Sequence, residues 1–149
     1  MINTLSAEDV LGEKGFLAET VIGTSMCPLL KEHRDTVIIK KISVPLKKYD
    51  VILFRRDKQL VLHRIIKIND GYFLIRGDNC VQGETVYDNQ IIGIMTHFCR
   101  NGKQCDVHHK GYRVYSVLWV RCFWIRVTFR KVMGLFKKII RRHNEKIQK

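Results

Sequence analysis

Short apolar, β-branched runs recur through the first hundred residues, and turn-forming residues separate them at short intervals. Runs of this kind, enriched in Val, Ile, Thr and Phe, predict strands rather than helices. Phe16 to Gly23 is the first such run. Thr36 to Ile42 and Asp50 to Arg55 follow, on either side of a loop that holds Pro45. Gln59 to Ile68 and Tyr72 to Arg76 flank Asn69-Asp70-Gly71, which between two apolar runs signals a hairpin. Ile91 to Cys99 closes the series, and Asn101-Gly102 turns it into a short antiparallel return. Ahead of the strands, residues 4–14 read as a short helix, with Thr4 or Ser6 as N-cap and Gly12 or Gly15 near its end. Short strands at this spacing predict a mainly β body.

The period changes after residue 110. Val114 to Ile125 is apolar almost all round, interrupted by Arg121. Setting residues 126–142 at about 100° each on a helix divides them by character. Phe129, Val132, Met133, Leu135, Phe136, Ile139 and Ile140 fall on one side. Arg126, Arg130, Lys131, Lys137, Lys138, Arg141 and Arg142 fall on the other. The chain thus divides into a short helix at 1–15, a body at 16–109 and an amphipathic tail at 110–149. The unbroken apolar stretch falls short of the roughly 20 residues that span a bilayer. A basic amphipathic helix with Trp119, Phe123 and Trp124 just upstream reads as lying in a membrane interface. The plainer alternative packs its apolar face on the β body and leaves its charges in water.

Charge sharpens that picture. The 149 residues suffice for one domain, and their net charge of +13 is unevenly placed. From Lys110 to Lys149 there are twelve basic side chains and one acid, Glu145, whereas the first 109 residues hold fifteen and thirteen. A near-neutral body thus carries a cationic tail, which attracts polyanions. No nucleic-acid recognition motif accompanies the charge, so the expected partner is an anionic membrane surface rather than specific nucleic acid. Five cysteines, an odd number with no Cys-x-x-Cys pair, argue against a disulfide framework or a zinc site. Reduced thiols fit a body that faces the cytosol. The N-terminal residues lack a basic n-region and an apolar h-region, so they do not read as a secretion signal. The expected location is peripheral, at the cytoplasmic face of a membrane. His97, His108 and His109 have no companion carboxylate or cysteine pattern, and neither a metal nor a cofactor is expected.

Three short motifs carry the candidate chemistry: Gly23-Thr24-Ser25-Met26-Cys27-Pro28, then Leu62-His63-Arg64-Ile65-Ile66, then Arg76-Gly77-Asp78-Asn79. A serine oxygen is a weak nucleophile that needs a neighbouring base. A neutral histidine suits that task near pH 7. On a strand, Val61, His63 and Ile65 share one face, and an apolar setting keeps the ring neutral. Each motif alone has a bland reading: Ser25 as a turn serine, His63 as a bonded core histidine, Asp78 as a turn cap.

As an ordered set, over roughly residues 18 to 97, the motifs resemble the signal peptidase superfamily, closest to its serine–histidine branch. The resemblance implies a coiled, mostly antiparallel β fold with a C-terminal amphipathic helical tail added here. Its shallow groove would bind substrate as an extended strand. It also implies serine endopeptidase activity, with Ser25 as nucleophile and His63 as general base. The substrate implied is a peptide or pre-protein, for instance a leader or signal peptide at a membrane. Gly23, Thr24 and Met26 would line the substrate groove, and Pro28 would bend the chain away. Asp78, in the family's Gly-Asp-Asn motif, or Glu84, six residues on, would orient the imidazole. The hydroxyl that many membrane members place two residues before the nucleophile is missing, since that position is Gly23. The Ser25 N–H is then the candidate oxyanion donor. Arg34-Asp35-Thr36-Val37 and Tyr49-Asp50-Val51 resemble two strand starts in which the family has glycine before the aspartate. Ile91-Ile92-Gly93-Ile94 resembles its closing strand.

Two other classes fit parts of the pattern. A self-cleaving repressor-type regulator would use the same body, but fewer than twenty residues precede the first strand and the Ala-Gly pair usually cut there is absent. A catalytically decayed module binding a membrane surface would keep the fold without the chemistry.

Overall fold

A computed structural model describes residues 4–129 and 131–135, and they form a mainly antiparallel β body with helices at its C-terminal end. The strands are β1 (Phe16–Thr20), β2 (Thr36–Lys40), β3 (Val51–Arg56), β4 (Gln59–Asn69), β5 (Tyr72–Arg76), β6 (Glu84–Val86), β7 (Ile91–Arg100) and β8 (Lys103–Asp106). They pair in the order β1-β2-β7-β3-β4-β5-β6, with β8 on β7. Every pairing is antiparallel.

Alternation along β3 shows why the sheet must be covered on both sides. Val51 and Leu53 point into one core with Leu17, Val37, Ile39, Met95 and Phe98. Ile52 and Phe54 point into a second with Ile65, Ile75 and Val86. Successive side chains of a strand face opposite ways, so a run buried throughout needs a core on each side. Register shifts in the β2–β7, β3–β7 and β4–β5 ladders bend the sheet between these cores.

The helix α1 (Thr4–Lys14) packs Ala7 and Leu11 into the first core and stops at Gly15, whose φ of +72° favours glycine. Its cap is not Thr4 or Ser6 as expected, because both residues are already helical. The first strand is shorter than its apolar run. Residues 21–23 leave the ladder because the Val21 N–H and carbonyl bond instead to Asp35 and His33, folding residues 21–35 into a compact loop. Asp35 is fully buried and pinned by Arg34 and by the Lys31 N–H. Two short elements escaped the sequence pattern, β6 and a single 3-10 turn at Asp88–Gln90.

The tail is less separate from the body than its composition predicts. Helix α2 (Lys110–Arg121) begins at His109, whose Nδ1 accepts the Gly111 N–H as an N-cap. Bonds from Cys122 N to Leu118 O and from Arg126 N to Cys122 O carry the chain into a further helical stretch at 123–135, residue 130 undescribed. The inner side of these turns lies on the β body, with Ser116 and Phe123 buried. Arg126, expected on the solvent side, instead stacks on Trp119 with its guanidinium carbon 3.6 Å from the ring centre. The expected helical face from Phe136 onward lies outside the described residues. Among those described, no helix is long and apolar enough to cross a membrane.

Candidate active site

The loop at 21–30 carries Ser25. Gly23, at φ +88°, turns the chain, and its N–H is held by Glu32 at 2.9 Å. Met26 is buried beneath the turn, and the Cys27–Pro28 peptide is cis. Ser25 is partly exposed and lines a cleft of about 350 Å³. One wall of the cleft is residues 19–23, and the other is the start of β4, residues 59–62. Leu17, Val37, Ile39 and Leu53 contribute an apolar floor.

Each wall includes a strand edge, Glu19 and Thr20 of β1 in one and the start of β4 in the other. Among the described residues strand β1 pairs only with β2, and β5 reaches β4 only from Arg64 onward. Gln59 to Leu62 therefore have a ladder partner on one side, β3, and an open side toward the cleft, which the buried His63 does not itself line. Open edges present N–H and C=O groups that an extended peptide can pair with.

His63 follows on β4, opposite Ile52 and beside Phe54, with its ring 5.9 Å from that of Phe54. It is 5% exposed. Its Nδ1 lies 2.8 Å from Glu84 Oε1, with the oxygen off the N–H line. Burial lowers the pKa of the ring, and the Glu84 carboxylate partly opposes that shift. The neutral form is therefore favoured, in the sense that the apolar strand pattern predicts.

The other ring nitrogen faces the serine turn across Gly77. A side-chain carbon at Gly77 would lie 2.7 Å from the Ser25 carbonyl oxygen and 2.9 Å from His63 Nε2. The two atoms are thus no further apart than those distances combined. The Asn79 N–H donates to the Ser25 carbonyl at 2.7 Å and the Asn79 side chain to the Thr24 carbonyl at 3.2 Å. The Gly-Asp-Asn turn is in this way stitched to the serine turn. Ser25 accepts through its carbonyl, and among the described residues its hydroxyl makes no hydrogen bond to the ring. Such bonds are often long before substrate binds.

Asp78 and Glu84 have separate roles. Asp78 is consumed by Arg64, which donates from Nε and Nη2 to its two carboxylate oxygens at 2.8 Å each. Tyr115 donates a further bond to that carboxylate, at 3.1 Å. Trp119 Nε1 and Arg126 Nη1 donate to the Asp78 backbone carbonyl. The remaining Arg64 nitrogen bonds Tyr49 O, Tyr112 and Ser116. Asp78 therefore holds the turn, and the acid on the imidazole is Glu84, itself 3.5 Å from Arg56.

Thr24, expected in the groove, instead exposes its side chain and uses its carbonyl in the turn. Gly23 and Met26 do line the cleft. The Gly23 and Cys27 N–H groups are engaged by Glu32 and Thr24, so neither competes with the Ser25 N–H, the oxyanion candidate. Sequence reasoning missed Arg64 and the helix residues Tyr112, Tyr115, Ser116 and Trp119. The only signal was an arginine inside an otherwise apolar strand, which must find a buried anion. Among the described residues no group of three His, Cys, Asp or Glu side chains could hold a metal.

A scan against protein-family models gave no match, and a search of curated proteins gave none either.

Proposed function

We propose that the protein is a serine endopeptidase of the signal-peptidase type, acting on an extended segment of a peptide or pre-protein. One observation carries the reading: Nδ1 of His63 lies 2.8 Å from a carboxylate oxygen of Glu84 while Nε2 is turned toward the turn of Ser25. That polarity is what a general base needs, since a proton kept on Nδ1 leaves a lone pair on Nε2. The cleft supports it, because two open strand edges over an apolar floor suit a peptide added as a strand.

In this reading Nε2 takes the Ser25 hydroxyl proton as the oxygen attacks the scissile carbonyl. The Ser25 N–H stabilises the oxyanion, and the resulting imidazolium is balanced by Glu84. The imidazolium then protonates the leaving amine. Water, deprotonated by the same ring, hydrolyses the acyl-enzyme and restores Ser25.

A fluorophosphonate probe tests this directly, since serine oxygen displaces fluoride only when a base activates it. Labelling of wild type that Ser25→Ala and His63→Ala both abolish, with folds retained by circular dichroism, is the expected result. Absent labelling of a folded wild type would leave a binding module in its place.

A further inference from the structure

The C-terminal helical segment has two apolar faces, and only one is used. Residues 112, 115, 116, 119, 123 and 126 project toward one side at about 100° per residue, and this is the side laid on Arg64 and Asp78. On the same count Val114, Leu118, Trp124 and Ile125 project the opposite way, with Arg121 among them and Phe129 at their flank. They are all exposed, Trp124 by 73%, Ile125 by 71% and Phe129 by 64%. A stripe of this size on a helix already fixed by its other face needs a separate partner.

Charge identifies the partner. Arg113, Arg121 and Lys131 are exposed on the same helical segment. No acid occurs between Asp106 and Glu145. An exposed tryptophan among aliphatic side chains, with basic residues around it and none acidic, matches the boundary between anionic headgroups and acyl chains.

We infer that this outer stripe docks the protein on an anionic lipid bilayer, lying in the interface while the inner face grips the Gly77-Asp78-Asn79 turn. Both faces belong to one helical segment, so the candidate site is carried to the lipid surface with it. The inference does not depend on proteolysis.

The test uses the full chain with phosphatidylcholine vesicles, with and without phosphatidylglycerol, some carrying bromine on the acyl chains. Co-sedimentation with the phosphatidylglycerol vesicles is expected, weakened by salt, with Trp124 fluorescence quenched by the brominated lipid. The double variant Ile125→Glu, Phe129→Glu should bind at least about tenfold more weakly, because burying even one such side chain is worth more than 1.4 kcal/mol. Its melting temperature should stay near wild type, as both positions are solvent-exposed. Binding that the double variant leaves unchanged would overturn the inference, because the attraction would then be charge alone. So would tighter binding to a duplex oligonucleotide than to vesicles. A soluble dimer that the variant splits, with no vesicle binding, would assign the stripe to a second copy of this chain.

Discussion

His63 and Glu84 lie on strands separated by β5, yet Nδ1 of one is 2.8 Å from Oε1 of the other. The register explains the meeting. Ile65, Ile75 and Glu84 form one row across β4, β5 and β6, and His63 stands two residues along the same face from Ile65. The carboxylate therefore reaches the ring diagonally over Ile75, at the rim of an apolar core.

The two acids should separate cleanly in mutants. Glu84→Gln removes the charge that stabilises the imidazolium and should lower kcat by roughly 10²–10⁴-fold, with little change in melting temperature. Asp78→Ala leaves the Arg64 guanidinium buried and unpaired, which typically costs about 3–5 kcal/mol. Its expected signature is a large drop in the denaturation midpoint. If Asp78→Ala melts like wild type while losing activity, the assignment of roles is reversed.

Acid should inactivate the protein through His63. Burial places the ring pKa below the ordinary histidine value of about 6.5, so the neutral base persists into mildly acidic solution. The acidic limb of kcat/KM should therefore have its midpoint below that value. Glu84 raises the ring pKa, so Glu84→Gln should shift the limb further toward acid. Stability follows the same sign. A histidine whose folded pKa is depressed binds its proton more readily when unfolded, so stability declines as pH falls below about 6.5. A kinetic midpoint above 7 would contradict this.

Much of the fold was legible because its strands are short apolar, β-branched runs and its turns carry Gly, Asn or Asp. Strand β5 runs from Tyr72 to Arg76 as expected, and the Asn69-Asp70-Gly71 turn lies where the pattern puts it. Residues 21–23 were misread as strand because apolar β-branched side chains look alike in a ladder and in a loop whose hydrogen bonds go elsewhere. Strand β6, only Glu84–Val86, is too short to show a period. In the site, Ser25, His63 and the Gly77 turn were legible as an ordered set, but their convergence and the choice between Asp78 and Glu84 were not. That choice depends on Arg64, and a single sequence does not say which carboxylate a buried arginine will meet. Tyr49 shows a subtler case. It stands where the resemblance places a glycine, and its φ of +82° keeps a glycine-like backbone under a bulky side chain.

Gly77 should tolerate no side chain. Its own φ is not in the left-handed region, so the constraint is space alone. A methyl group there would meet the Ser25 carbonyl oxygen, Cys80 Sγ and His63 Nε2, all closer than 3 Å. The carbonyl is fixed by Asn79, so the imidazole and the thiol must give way. Gly77→Ala should keep the β circular-dichroism signature and lose serine-probe labelling by at least about tenfold, since displacement of a base by about 1 Å is enough for such losses. Labelling at the wild-type rate would mean that the ring does not work from this position.

The helix α2 should prove part of the candidate site rather than a detachable anchor. Trp119→Phe keeps the ring for Arg126 to stack on but removes the N–H donated to the Asp78 carbonyl at 2.9 Å. Loss of one such bond is worth about 1 kcal/mol. Arg126 still reaches the carbonyl at 3.2 Å, so the turn should loosen rather than collapse. The expected variant melts slightly earlier and labels more slowly in solution, with no lipid present. Truncation after His109 goes further, because it strips Tyr112, Tyr115 and Ser116 from a guanidinium and a carboxylate that are buried in the whole protein. The truncated body should be markedly less stable to urea than the full chain. A truncation that labels as fast as the intact protein in free solution would confine the helix to attachment and detach it from the chemistry.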